Sequence, residues 1–112
     1  AGSDAFLIPS KYEPCGLTQM YSLRYGAIPI VRATGGLDDS VREYDRSSGS
    51  GNGFKFERET PEALVGAVRN ALSVFARPES WKALIRNAMA EDFSWVKAAG
   101  QYLELYEKIA SL

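Results

Sequence analysis

Two short apolar runs constrain the fold of this chain more than any other feature of its sequence. Residues 5–9 read "AFLIP" and residues 27–31 read "AIPIV". Continuous apolar runs of this length are typical of strands that are buried on both faces of a parallel sheet. Parallel neighbours need a crossover connection, and the segment between the runs has room for a loop at 10–17 and a helix at 18–25. We therefore expect a right-handed strand–helix–strand unit.

The crossover helix carries its own start and stop signals. Thr18 is a suitable N-cap, and Met20, Leu23 and Tyr21 are spaced to give the buried side of the helix. Gly26 follows the last helical residue, where a left-handed conformation often ends a helix. The sequence thus predicts that the second strand begins directly after this glycine.

The segment after the second strand alternates between glycine-rich and apolar stretches. The loop "RATGGLDDS" leads into a short helix that we expect from Leu37 to Val41. Residues 42–52 are polar, rich in glycine and serine and without periodicity, which indicates a mobile loop. Residues 53–57, "GFKFE", alternate between apolar and polar side chains and predict a short edge strand.

Three helices are predicted in the second half of the chain. Thr60 caps the first, with Pro61 in its first position. Pro78 opens the second helix, and Ser94 caps the third. Each helix has an apolar stripe at helical spacing. The three stripes are Leu64, Val68, Ala71, Leu72 and Phe75; Trp81, Leu84, Ile85 and Met89; and Val96, Ala99, Tyr102, Leu103, Tyr106 and Ile109.

Together these elements predict an α/β fold. We expect a partial Rossmann-like parallel sheet of two to three short strands, with flanking helices and a helical C-terminal tail. The length of 112 residues allows one domain at most. So small a sheet cannot cover its own faces and edges. The chain also begins without methionine and enters an apolar run almost at once, so we expect it to be a piece of a larger domain.

The composition excludes several kinds of site and partner. The chain has no histidine and a single cysteine, Cys15, which removes Ser-His-Asp and Cys-His catalysis, disulfides and cysteine/histidine zinc sites. A net charge of -1, from scattered acids and bases, argues against nucleic acid or an anionic membrane as the main partner. No apolar run approaches the roughly 20 residues that span a bilayer. We expect no metal site, and a cytoplasmic protein or, in a plant, a plastidial one.

Two glycine-containing loops follow the predicted strands, at the edge of the sheet where open parallel sheets bind their ligands. In "EPCGLTQ", Gly16 permits close approach of a ligand, and the amides of Gly16, Leu17 and Thr18 would point outward at a helix start. Such amides favour an anion, most often a phosphate. In "TGGLDD", Gly35 and Gly36 form a second flexible turn that can approach the same ligand.

Glu13 is the unusual member of the first loop, because a carboxylate beside a phosphate would repel it. The conflict disappears if Glu13 accepts hydrogen bonds from a neutral polyol in the same ligand. A sugar attached to a diphosphate has both parts. From the residues alone, a solvated loop carboxylate and ordinary glycine turns stay open as alternatives, and Cys15 is either a reactive thiol or a small half-buried filler.

The stretch "PSKYEPCGLTQMYSLRYGAIPIVRATGGLDDSV" resembles the C-terminal domain of bacterial glycogen synthases and plant starch synthases. These are retaining glycosyltransferases of the GT-B type that use ADP-glucose or UDP-glucose. The segments "NGFKF", "DFSW" and "QYLELYEKI" match later parts of the same domain, so the resemblance covers essentially the whole chain. It implies that residues 1–60 form the donor-binding half of a Rossmann-like domain and that residues 61–112 are the C-terminal helices of that domain.

The resemblance also assigns roles to residues of both loops. Glu13 would bind a hydroxyl of the donor glucose in the catalytic centre. Tyr21 stands where many GT-B enzymes have a second acid, so this chain lacks a carboxylate that would bind ribose. The residues whose backbone amides would hold the distal phosphate and the glucose are Cys15, Gly16, Leu17 and Thr18. The residues of the second loop, near donor and acceptor, are Thr34, Gly35 and Gly36.

Further parts of such a site are expected outside this sequence. In the family, the arginine and lysine that neutralise the leaving diphosphate lie upstream of residue 1. The N-terminal domain, with a lysine-glycine-glycine loop and a catalytic histidine and aspartate, is also upstream. The resemblance implies a nucleotide sugar and an α-glucan acceptor as partners and no cofactor beyond the donor substrate. It also implies that this chain alone does not catalyse transfer.

Two other interpretations stay open from the residues alone. The chain is then either a non-catalytic nucleotide or phosphate module of Rossmann-like build, or a helical interaction domain whose glycine loops are only turns. Four aromatic residues suit either a glucan platform or the core, and their helical spacing favours the core. They are Trp81, Trp95, Tyr102 and Tyr106.

Overall fold

A parallel sheet of three strands organises the chain, and the computed structural model describes all of residues 1–112. The register places Leu7 opposite Ile30 and Ile30 opposite Phe54. The predicted strand–helix–strand unit and the third, edge strand are therefore confirmed. In the order in which they neighbour one another, the strands are β1 (Ala5–Ile8), β2 (Ile28–Arg32) and β3 (Phe54–Phe56).

Five helices accompany the sheet: the first connects β1 to β2, the second follows β2, and the other three follow β3. The Thr60 hydroxyl accepts a hydrogen bond from the Ala63 amide at 3.2 Å, and the Ser94 hydroxyl accepts one from the Lys97 amide at 3.4 Å. Both predicted N-caps are thus confirmed. No helix is long and apolar enough to span a membrane. The helices are α1 (Thr18–Arg24), α2 (Gly35–Ser40), α3 (Pro61–Phe75), α4 (Pro78–Met89) and α5 (Trp95–Ala110).

The main core lies on one face of the sheet. Because side chains alternate along a strand, Ile30 and Val31 of β2 point to opposite faces. Ile30 belongs to a cluster of 12 buried residues from β2, β3, α1, α3, α4 and the segment before β3. Val31 packs with Leu37 and Val41 in a smaller cluster beside α2. The two sides of β2 therefore hold the whole unit together, as expected for a central parallel strand.

The prediction that the first strand is buried on both faces is wrong. Phe6 is 42% exposed and Leu7 is 45% exposed. The physical reason is that β1 is an edge strand, which pairs only with β2, and the helices pack mainly over β2 and β3. Only Ile8 is partly buried, against the smaller cluster.

The details of α1 also differ from the sequence-based prediction. Leu17, not Thr18, is the N-cap, and no side chain caps the helix. Tyr21 is 60% exposed, whereas Gln19 is fully buried. The helix presents polar side chains inward because these bond to backbone carbonyl groups of neighbouring loops; for example, the Ser22 hydroxyl donates to the carbonyl oxygen of Ala27. The glycine that follows the helix, Gly26, has the predicted positive φ, 72°.

The segment 42–52, predicted to be a mobile loop without structure, is a hydrogen-bonded turn. Glu43 and Gly53 form a parallel bridge, and Asp45 and Ser50 form an antiparallel one. The Asp45 carboxylate accepts hydrogen bonds from the Ser47 hydroxyl and amide, which lower the pKa of Asp45 below its usual value. Periodicity could not reveal this turn, because local backbone and side-chain bonds hold it and these require no repeating apolar pattern.

Asn52 ties this turn to the rest of the molecule. Its side chain is fully buried. The Oδ1 atom accepts from the Arg42 amide at 2.7 Å, and Nδ2 donates to the Ser40 carbonyl at 3.2 Å and to the Glu91 carboxylate at 2.9 Å. Three separate segments therefore meet at one amide side chain.

We expect Asn52→Ala to lower the free energy of unfolding by about 2–3 kcal/mol, because it removes the bonds of a fully buried amide to Arg42, Ser40 and Glu91. Urea denaturation measures the change. Ser48→Ala, at an exposed position of the same turn, serves as the control and should change stability by less than about 0.5 kcal/mol. Equal effects of the two substitutions would show that Asn52 does not anchor the turn.

The C-terminal helices are packed unequally. Trp81 and Leu84 of α4 are buried in the core, as predicted, but α5 has no buried residue. Of the four aromatic residues for which core packing was favoured, only Trp81 is in the core. The other three are exposed because α5 packs against little of the rest of the chain, and they are Trp95 (87%), Tyr102 (61%) and Tyr106 (64%). Leu72, Phe75 and Met89 of the predicted stripes are also exposed.

Candidate functional site

The structure brings the two glycine loops into direct contact. The first loop follows β1 and the second follows β2, so both leave the carboxyl ends of neighbouring parallel strands. The amide of Gly36 donates a hydrogen bond of 2.8 Å to the carbonyl oxygen of Glu13. This backbone bond joins the loop that carries Glu13 to the first turn of α2.

Glycine is required at this contact because backbone lies against backbone. Gly35 has a φ of +47°, and a Cβ atom there would lie 2.9 Å from the carbonyl carbon of Glu13. A Cβ atom at Gly36, which is buried, would lie 2.5 Å from the Cα atom of Cys15 and still closer to its carbonyl group. Real Cβ atoms do not approach backbone so closely. The contact between the two loops therefore requires glycine at both positions.

The amides of the first loop precede the helical hydrogen bonds. Tyr21 donates at 3.0 Å to the carbonyl oxygen of Leu17, the N-cap of α1. The amides of Gly16, Leu17 and Thr18 come before this bond, in the part of a helix start where amides have no intrahelical acceptor. Since α1 has 7 residues, the individual amides rather than a long helix dipole would attract an anion.

The carboxylate of Glu13 lies beside these amides. A Cβ atom built at Gly16 would be 3.0 Å from Cγ of Glu13, so the side chain runs next to the glycine. The Ser10 hydroxyl donates to Oε2 of Glu13 over a long 3.5 Å. The side chain is half-buried, and most of its acceptor capacity is available to a ligand. The loop thus presents amide donors and a carboxylate acceptor side by side.

The other predicted site residues of the first loop lie at the surface. The Cys15 thiol is free and exposed, and Leu17 is 55% exposed. Thr18 and Tyr21 line a cavity of about 360 Å³ together with Phe6. Neither Glu13 nor the second glycine loop lines this cavity. The structure therefore does not place Tyr21 with Glu13 in one pocket. Thr34 precedes Gly35 as the N-cap of α2, through its backbone rather than its side chain.

Two side chains that the sequence analysis did not single out hold this region in place. Arg32, at the end of β2, donates from Nη1 to the carbonyl oxygens of Ser10 and Lys11, and from Nε to that of Glu57 at 3.0 Å. It also forms an ion pair with Glu59 at 3.5 Å. Arg32 thereby ties the first loop to the segment after β3. The other side chain is the buried Gln19, which bonds to the first glycine loop and to Ser40, the last residue of α2.

The largest cavity of the chain, about 510 Å³, lies elsewhere. It is bounded by the turn at 42–52 and the end of α4, and includes the ion pair of Arg42 with Glu91. Its lining includes neither glycine loop. The site with amide donors beside a carboxylate is preferred as the candidate, because its chemistry matches a sugar phosphate whereas volume alone specifies no ligand.

Curated relatives share the sequence of this chain over nearly its full length. A glycogen synthase of Koribacter versatilis is 56% identical over 108 residues, which cover 96% of this chain and 22% of that protein. A glycogen synthase of Fervidobacterium nodosum is 54% identical over 111 residues, covering 99% of this chain and 23% of that protein. The chain therefore spans less than a quarter of the length of these relatives.

Solved structures show the same architecture. The catalytic domain of starch synthase IV from Arabidopsis thaliana, bound to ADP and acarbose, superposes with a TM-score of 0.82 at 44% identity, covering 98% of this chain and 23% of that one. Sucrose-phosphate synthase from Thermosynechococcus elongatus gives a TM-score of 0.67 at 25% identity, covering 96% of this chain and 26% of that one. These matches confirm the predicted α/β fold of GT-B type.

The sequence profile of one family, glycosyl transferases group 1, matches residues 1–90. Both glycine loops, all three strands and α1 to α4 lie within the matched region. The glycogen synthases and the starch synthase confirm the resemblance indicated by the motifs. The chain belongs to the glycosyl transferases group 1 family.

Proposed function

We propose that this chain forms the donor-binding part of an α-1,4-glucan synthase, which transfers glucose from ADP-glucose or UDP-glucose to the non-reducing end of a glucan. The observation that carries the proposal is the contact between the two glycine loops, with the Glu13 carboxylate beside amides that precede the first bond of α1. The glycogen synthase relatives, and a starch synthase structure bound to ADP and acarbose, support it.

In this proposal the Glu13 carboxylate, the amides of the first loop and the second loop have separate roles. The carboxylate of Glu13 accepts hydrogen bonds from a hydroxyl of the donor glucose. Amides stabilise the negative charge that develops on the distal phosphate as the glucose–phosphate bond breaks. The second loop lies near both donor and acceptor, and Tyr21 occupies the position of a second acid without supplying a charge. The amides of the first loop belong to Cys15, Gly16, Leu17 and Thr18, and the second loop is Thr34, Gly35 and Gly36.

The proposed site is half of a complete one. An arginine and a lysine for the diphosphate, and a facing domain with a histidine and an aspartate, would come from a larger protein that contains this sequence. Without that arginine and lysine, we expect the chain alone to bind donor weakly and to transfer no glucose. The proposal involves the donor as substrate and no further cofactor, and places the reaction in the cytoplasm or a plastid.

Glu13→Ala tests the proposal in a chimera. The matching segment of the Koribacter versatilis glycogen synthase is replaced by this chain, and glucose transfer from ADP-glucose to glycogen is measured. Loss of a hydrogen bond between a carboxylate and a sugar hydroxyl should reduce kcat/KM by about 10- to 100-fold. Glu62→Ala removes an exposed carboxylate from the first turn of α3 and should leave the rate unchanged.

The outcomes separate the possible functions. Unchanged transfer in the Glu13→Ala chimera would exclude the role proposed for Glu13. An unmodified chimera that is folded and binds ADP, yet transfers no glucose, would indicate a non-catalytic nucleotide module instead. Titration calorimetry with ADP and ADP-glucose provides the binding measurement. No binding of either nucleotide would leave only the interaction-domain interpretation.

A further inference from the structure

The side chain of Gln19 lies fully buried between the two glycine loops. Its Nε2 atom donates to the carbonyl oxygens of Cys15 at 2.9 Å and Gly16 at 3.0 Å, and to the hydroxyl of Ser40 at 3.1 Å. The Ser40 hydroxyl in turn donates to the carbonyl oxygen of Gly36 at 2.6 Å. We call these bonds the inter-loop network. It joins the first loop, α1 and α2 through two side chains.

The orientation of the Gln19 amide follows from its neighbours. Only the NH₂ end of the group can face two carbonyl oxygens, because a carbonyl oxygen has no hydrogen to donate. The opposite atom, Oε1, is buried and has no hydrogen-bond partner. An unpaired buried acceptor is unfavourable, and the bonds that Nε2 donates offset this cost.

The network fixes the direction of the amides that face a ligand. A trans peptide unit is planar, and its N–H points opposite to its C=O. The carbonyl of Cys15 shares a peptide plane with the amide of Gly16, and the carbonyl of Gly16 shares one with the amide of Leu17. By holding both carbonyl oxygens, Gln19 turns both N–H groups away from itself. These two amides belong to the candidate phosphate site.

We propose that Gln19 is a positioning residue for glucose transfer, which orients the Gly16 and Leu17 amides and, through Ser40, fixes the second glycine loop beside them. The inference rests on the proposed function, since it names the residue that preorganises that site. Gln19 does not touch the sugar nucleotide in this proposal. Amide N–H groups that are held in place before the reaction stabilise a transition state better than N–H groups that must reorient.

The test compares Gln19→Met with a matched substitution in the same helix. Methionine keeps the length and volume of glutamine and removes both hydrogens. Ser22→Ala also removes a buried donor of α1, but this donor bonds to Ala27 at the other end of the helix. In the Koribacter versatilis chimera, we expect Gln19→Met to reduce kcat by about 10- to 100-fold, and Ser22→Ala to leave kcat within about 2-fold.

Two further measurements distinguish positioning from folding. The melting temperature of each chimera reports any general loss of stability, which we expect to be similar in the two variants. Hydrogen exchange read by mass spectrometry should be faster in the peptides that contain residues 13–18 and 34–37 for Gln19→Met only. Gln19→Glu places a carboxylate against the same carbonyl oxygens. Hydrogen exchange in these peptides should therefore be faster still in this variant.

The outcomes separate the positioning role of Gln19 from the proposed function of the chain. If the unmodified chimera transfers glucose and Gln19→Met is as active as Ser22→Ala, the positioning role is excluded while the proposed function stands. If the unmodified chimera is inactive, the proposed function fails and the role in catalysis fails with it. If exchange in the two loop peptides is the same in all variants, Gln19 does not fix the loops, whatever the activity shows.

Discussion

Gly36→Ala should abolish glucose transfer in the chimera and strongly destabilise the chain. The added Cβ atom would lie 2.5 Å from the Cα atom of Cys15 and closer to its carbonyl group. Backbone atoms cannot rotate out of the way as a side chain can, so the two loops must separate. Separation breaks the bond from the Gly36 amide to Glu13. We expect a loss of more than about 100-fold in kcat/KM, and of about 3 kcal/mol in the free energy of unfolding.

Gly66→Ala is the matched control for this substitution. Gly66 lies inside α3, and a Cβ atom there would meet nothing within 4 Å. Alanine in a helix interior is favoured over glycine, so this change should raise the free energy of unfolding by about 0.5–1 kcal/mol. Transfer should be unaffected. If Gly36→Ala keeps most of its activity, the contact between the loops is not required and the site must be reconsidered.

The order of elements and both loops could be predicted because local signals determine them. Apolar runs marked β1 and β2, and Thr60 with Pro61 marked the start of α3. A parallel arrangement then follows from the crossover connection, and it places the ends of both strands on one edge of the sheet. The sequence therefore predicts that the loops of Glu13 and Gly36 lie close together.

The bonds that fix the site could not be predicted in the same way. Arg32 and Gln19 bond to backbone carbonyl groups, and every residue has such a group. No side-chain pattern reveals which carbonyl a given residue meets, because the partner depends on how the loops pack.

Burial was the least predictable property. The apolar stripe of α5 and the apolar run of β1 have the periodicity of core elements, yet both are exposed in this chain. Periodicity shows that a face is suited to burial but not what covers it. Among the four aromatic residues at helical spacing, the structure separates Trp81, which is 7% exposed, from Trp95, which is 87% exposed.

The two tryptophans therefore give the clearest test of the packing. The Trp81 ring stacks on Phe54 with centroids 6.4 Å apart and meets Phe75 edge-on at 5.0 Å. We expect Trp81→Ala to lower the free energy of unfolding by about 3–5 kcal/mol, since it leaves a large cavity beside the sheet. This is a large fraction of the stability of a small domain. Urea denaturation followed by circular dichroism measures it without relying on tryptophan fluorescence.

Trp95→Ala makes the same chemical change at the start of α5, where no side chain is buried. It should alter the free energy of unfolding by less than about 0.5 kcal/mol. The contrast tests the architecture directly, because sequence periodicity treats the two residues alike and only the packing of α4 against the sheet distinguishes them. A loss of several kcal/mol in Trp95→Ala would mean that α5 folds back onto the core in solution, and the exposed face described above would then be wrong.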